Sequence, residues 1–133
     1  MSDTSNQSPV DLKSSGSSED AGLGAIDRSV RIPVLILAGA SLLWLLLGTV
    51  LALIASFKLH TPDFLAGYEF LTYGRVHPAG VNALVYGWGV NAALAVAIWL
   101  MARLSRASLI HGGLLIIATL FWNLGVDVGV WGI

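Results

Sequence analysis

Apolar positions along this chain gather into three long blocks rather than the short alternating runs of a half-buried sheet. Pro33 to Phe57 is 25 residues without a formal charge, which as a helix spans about 37 Å and exceeds the roughly 30 Å hydrocarbon core of a bilayer. Ala79 to Ala102 is a second uncharged run of 24 residues, entered after Pro78 and closed by Arg103 and Arg106. Leu109 to Ile133 is a third, interrupted only by His111 and Asp127. The pattern predicts an all-α integral membrane protein with transmembrane helices over about 33–57, 79–102 and 109–133. Ahead of them, residues 1–27 are rich in Ser, Asp, Asn and Gly and hold no aromatic residue. Such a segment buries too little surface to offset its ordering entropy, and is expected to be a disordered tail before the transmembrane domain of residues 28–133. A secretory signal is the poorer fit, because the segment before the first apolar run is long and acidic instead of short and basic. The third run carries no polar flank after Ile133, so the 133 residues are expected to be the N-terminal piece of a longer membrane protein.

Composition removes several function classes. Hydrophobic residues make up 56% of the chain, charged residues 11%, and the mean hydropathy is +0.77, whereas a soluble domain carries about 25% charged residues. The absence of Cys excludes disulfides, thiolate metal sites and thiol nucleophiles. No phosphate loop, zinc-binding His-Glu-x-x-His helix or Ser-centred elbow is present, and Gly22-x-Gly24 lies in the tail. The bilayer is the expected partner, and no nucleic acid is.

Charge gives the chain a direction. Residues 1–27 hold five acids and one base, and residues 28–133 hold six bases and three acids. Arg28, Arg31, Arg103 and Arg106 flank one side of the spans, Lys58 and Arg75 the other. Lys and Arg concentrate in cytoplasmic loops, so the N-terminus and the loop near Ser105 are expected in the cytoplasm and Lys58 to Pro78 outside. Bacterial inner membrane is the expected location.

Few side chains remain for chemistry. His77 precedes Pro78 at the outer mouth of the second run, and neutral imidazole is a common axial ligand of heme iron; an exposed loop His is the plainer alternative. In the second run Ala83, Gly87, Asn91 and Ala95 recur every four residues and share one face, suited to close helix contact or to the wall of a flat cofactor. Asn123 and Asp127 share a face of the third run with Gly125-x-x-x-Gly129. An ionisable residue in a span is costly at the bilayer centre, by about 2.5–3.5 kcal/mol on insertion scales. Counting from Leu109 puts Asp127 about 27 Å along the helix, close to the outer interface and near the level of Arg75 and His77, and a structural ion pair with Arg75 is expected there, with a proton-handling role as the alternative.

The stretch Tyr73-Gly74-Arg75-Val76-His77-Pro78-Ala79-Gly80-Val81-Asn82-Ala83 resembles the start of the second transmembrane helix of the catalytic subunit I of heme-copper oxidases, especially the cbb-type (C-family) cytochrome c oxidases. The family pattern there runs Gly-Arg-Leu-Arg-Pro-x-His-x-Asn-Ala. Gly74, Arg75, Pro78, Asn82 and Ala83 match, and Val76 is conservative. Two positions depart: the family's second Arg is His77, and its His, an axial ligand of the low-spin heme, falls on Gly80. The resemblance implies the N-terminal part of a 12-helix fold, working with the rest of a subunit I chain or other oxidase subunits and with a c-type cytochrome as electron donor. It also implies heme b, with His77 as the candidate axial ligand, Arg75 as a heme-proximal or ion-pair residue and Asn82 beside the cofactor. The copper-binding His residues of the family belong to later helices, so copper is not expected on this chain, and neither is oxidase activity by these 133 residues alone. A membrane scaffold or accessory subunit that has lost heme binding is the alternative that Gly80 favours.

The topology has a direct check in a chain without native Cys. A single Asp63→Cys is expected to react with an impermeant maleimide in intact cells and a single Ser105→Cys is not; the reverse labelling would invert the orientation.

Overall fold

The computed structural model describes residues 9–133, and among them it contains helices and no strand. Three helical stretches are long and apolar enough to cross a membrane. The first helix runs from Pro9 to His60. A loop with a short 3-10 turn at Glu69–Leu71 leads to the second helix, Tyr73–Ser105, and the third covers Gly112–Trp131.

The expected tail differs from this picture. Residues 1–8 lie outside the described residues, but from Pro9 onward the chain continues the first helix without a break. The physical reason lies in residues 23–30. Leu23, Ile26 and Val30 pack with Ala102, Ile98 and Leu109. Asp27 accepts two hydrogen bonds from the Arg103 guanidinium, at 3.1 and 2.6 Å, and the Ser29 hydroxyl accepts one from the Leu109 amide at 3.0 Å. Once the transmembrane part has formed the costly first turn, each further residue adds a hydrogen bond without a new nucleus. Low hydrophobicity alone therefore underestimates the helix.

The second helix also starts earlier than expected, at Tyr73 rather than Ala79, with Pro78 and His77 inside its first turns. Its middle, Ala83–Gly89, is π-helical, and the Val90 amide donates to the Val85 carbonyl five residues back. In a regular α-helix a four-residue stripe drifts by roughly 40° at each step. The wider π turn counters that drift and keeps Ala83, Gly87, Asn91 and Ala95 on one face, all four of them buried.

That face meets the first helix at very close range. A methyl group added to Gly87 would lie 2.7 Å from the Trp44 Cβ. One added to Gly48 would lie 2.8 Å from the Leu84 Cδ2 and 3.2 Å from the Leu84 amide nitrogen. The indole and the leucine are thus knobs seated on glycines of the opposing helix, the small-residue logic by which membrane helices approach. The third helix packs over both, burying Thr119, Val126 and Val130. Around this seam Leu51, Ala55, Val76, Ala79, Ala83, Val126 and Val130 form the main apolar cluster.

A polar network ties the three helices together. The Asn91 and Asn123 amides hydrogen-bond each other reciprocally, Asn91 Nδ2 to Asn123 Oδ1 at 3.2 Å and Asn123 Nδ2 to Asn91 Oδ1 at 3.1 Å. Their remaining donors go to the Gly87 carbonyl at 2.5 Å and the Thr119 carbonyl at 2.9 Å, and the Trp44 indole donates to Asn123 Oδ1 at 2.8 Å. Every donor of both amides is used. Asn123→Leu strands the partners of Asn91 and Trp44, and is expected to cost about 1–2 kcal/mol. The double change Asn91→Leu with Asn123→Leu is expected to cost less than the two single losses added together, which a double-mutant cycle in detergent or lipid measures.

Candidate functional site

The residues the sequence singles out lie toward the end of the bundle that holds the loop before Tyr73, and the structure sets them in three separate recesses. His77, on the second helix, lines a hollow of about 280 Å³ against the first helix, floored by Ala52, Ala55, Ser56 and Gly80. Its imidazole is solvent- or lipid-accessible and stacks on the Tyr73 ring one turn earlier, with centroids 5.4 Å apart and planes 29° from parallel. Arg75 points toward the loop instead, where its guanidinium lies 5.9 Å from the Phe70 ring centre, a cation–π contact. Asn82 faces the third helix, its amide 3.4 Å from the Gly129 carbonyl, in a groove of about 350 Å³ with Tyr86, Trp122 and Gly125. None of these three recesses is lined by more than one of His77, Arg75 and Asn82.

The expected ion pair is absent between its proposed members. The Asp127 carboxylate accepts a hydrogen bond from the Trp131 indole at 3.0 Å, one turn along its own helix, while Arg75 is occupied with Phe70. Equal depth was the basis of the expectation, and depth says nothing about azimuth. Asp127 looks into the groove between the first and third helices, whereas Arg75 borders a recess with Leu71, Val130 and Trp131. An ion pair does form between Asp27 and Arg103, at 2.6 Å, and joins the first and second helices at the opposite end. Arg103 also lies 5.2 Å from the Trp99 ring centre.

Outside the membrane runs, Lys58 is buried and donates to the Phe64 carbonyl at 2.7 Å, and Phe57 and Phe64 pack at 5.7 Å. Lys58 therefore serves to fold the first loop back on its helix. Among the described residues no group of three or more His, Asp or Glu is placed to hold a metal ion.

Sequence reasoning missed the role of Trp44, because an indole in an apolar run looks like an ordinary interfacial or lipid-facing residue. The available signal was the buried amide: an Asn in a membrane helix needs a partner, and two lay on separate helices. Gly48 opposite Leu84 had no such signal.

The sequence profile of the family described as cytochrome c and quinol oxidase polypeptide I matches residues 33–133. The chain belongs to this family. Comparison with curated proteins and with solved structures found no match. Family and structure together make it an integral membrane protein of helical fold.

The family generally binds heme, and the residues at the position where the resemblance of 73–83 would set its axial His can be tested for fit. They do not fit. Gly80 has no donor atom, and a Cβ built on it lies 3.3 Å from the Ala52 amide nitrogen and 3.3 Å from the Leu51 Cβ. An imidazole there would point into the backbone of the first helix. Gly80→His is therefore expected to lower the yield and melting temperature of the protein without producing a heme absorption band. Gly80→Ala, with one methyl group in tight contact, is expected to cost about 1–3 kcal/mol, as overpacking of a close contact does. A heme band restored by Gly80→His would contradict this geometry.

Proposed function

We propose that the chain is the N-terminal helical packing unit of a subunit I-like protein of a respiratory oxidase. In that reading the assembled complex passes electrons from a donor such as a c-type cytochrome to oxygen, and these helices supply structure to it. The observation that carries the reading is the combination of family membership across 33–133 with a second helix whose would-be ligand position is closed by the first helix. This agrees with the resemblance of residues 73–83 to the cbb-type subunit and departs from it at heme ligation. Bacterial inner membrane, with the N-terminus in the cytoplasm, is the location consistent with the distribution of Arg and Lys.

His77 keeps a donor atom, but its surroundings favour a structural role. It is accessible, it stacks on Tyr73, and the hollow beside it offers only small or aliphatic walls with the Ser56 and Tyr73 hydroxyls. The measurement is a reduced-minus-oxidised spectrum of the purified assembly with wild-type chain and with His77→Ala. An unchanged low-spin heme signal is expected. Loss of that signal in His77→Ala would make His77 an axial ligand and would reject the packing role.

A further inference from the structure

At the end of the bundle away from His77, the second and third helices part around a cleft of about 870 Å³. Met101 and Leu104 wall it on one side and Leu114 on the other, and the turn between the helices closes it at Ile110. Met101 is 69% exposed, Leu104 76% and Leu114 70%. The cleft reaches only as deep as Ile98 and Leu115, about 10 Å along the helix axes. Further in, Asn91 and Asn123 hold the two helices together. Its mouth is polar. Ser105, Ser108 and His111 line it, and among the described residues neither the Ser108 hydroxyl nor the His111 imidazole has a hydrogen-bond partner. Arg106 follows Ser105 in the left-handed C-cap position of the second helix, at φ 50° and ψ 29°, where Gly is the usual residue.

We propose that this cleft binds one anionic phospholipid, with an acyl chain between the second and third helices and the phosphate at Arg106 and His111. Charge complementarity and shape carry the argument. The first helix reaches this level at Ser29, whose hydroxyl meets the Leu109 amide. Around it the described residues hold Arg28, Arg31, Arg103, Arg106 and His111 against Asp27, whose carboxylate is spent on Arg103. Asp20 lies about 10 Å farther out along the first helix. Basic side chains at a membrane surface attract anionic headgroups, and basic pockets between helices bind them. A slot this short receives less than about two turns of a helix, whereas a lipid needs only an apolar slot that opens at headgroup level. A left-handed Arg is costlier than Gly at the same cap, and a charge at the mouth is what that residue adds. The proposal needs only that the helices span a bilayer, and it is independent of the oxidase reading.

The test is photolabelling of the full-length protein in bilayers of phosphatidylcholine and phosphatidylglycerol, with a diazirine in the acyl chain of one lipid or the other. Phosphatidylglycerol is expected to label peptides containing Met101, Leu104 or Leu114 several-fold more than phosphatidylcholine does. Arg106→Gly removes the charge and suits the left-handed cap. It is expected to keep the melting temperature, measured in phosphatidylcholine alone, while labelling falls to the phosphatidylcholine level; His111→Gln is expected to give a partial loss. Leu104→Trp, which fills the cleft, is expected to reduce labelling by both lipids. Equal labelling by the two lipids would overturn the proposal, as would labelling that Arg106→Gly and His111→Gln leave unchanged. Displacement by inorganic phosphate alone, or a cleft that no lipid labels because another helix covers it, would overturn it equally.

Discussion

The paired amides of Asn91 and Asn123 hold the rest of the arrangement in register. Lipid tails are as apolar as leucine side chains, so no hydrophobic force drives three apolar helices together in a bilayer. Close packing and hydrogen bonds must do it. The amide pair fixes the second helix against the third, the Trp44 indole ties in the first, and the same indole rests on Gly87. One residue thus belongs to both devices: Trp44 donates its proton to the polar network and its ring to the glycine seam. Rotating the second helix about its axis would break the hydrogen bonds and the seam together. The π-helical turn at Ala83–Gly89 keeps both in phase along the helix.

How much of this was legible in the sequence depended on which physical signal each feature leaves. The three spans were plain because uncharged runs of that length have few other uses in a protein. The small-residue face of the second helix was plain too, since a four-residue recurrence is a pattern along one helix. The helix starts were not. Pro78 suggests a boundary, but a proline near the beginning of a helix removes only one early hydrogen bond, and the chain tolerates it five residues after Tyr73. The tail misled for a similar reason: Leu23, Ile26 and Asp27 gain order from Ala102, Leu109 and Arg103, some eighty positions away. No local composition reports such contacts.

The candidate site shows the same limit more sharply. Arg75, His77 and Asn82 are close in sequence and were read together because a family motif contains all of them. On a helix, residues two and five positions apart point in different directions. The structure sends Arg75 to the Phe70 ring, His77 to the face beside the first helix and Asn82 to the third. Gly80 is the informative member of the motif. As a sequence symbol it is only a missing histidine, compatible with an empty pocket waiting for its ligand. As a position in the bundle it is where Gly48, Leu51 and Ala52 come within reach of the second helix. A close helix contact and a projecting ligand exclude each other at this position, because a residue that lets two backbones approach cannot also project a side chain between them.

That exclusion bears on what the helices leave for the rest of an oxidase-like assembly. Within the most apolar window of each span, 22%, 17% and 17% is buried by the chain itself, so most of each apolar surface faces lipid or other helices. Surface of that kind is uniform wherever it is only aliphatic, and lipid can cover it as well as protein can. Specific association needs a feature that lipid cannot satisfy. Along the groove between the first and third helices, Thr119 and Asn123 have their hydrogen bonds within the bundle, and the aliphatic walls ask for nothing in particular. Asp127 remains, with one indole donor for two carboxylate oxygens. An acyl chain cannot meet that need, whereas a donor from water, a lipid headgroup or a protein side chain can, so Asp127 sets its end of the groove apart from the aliphatic walls.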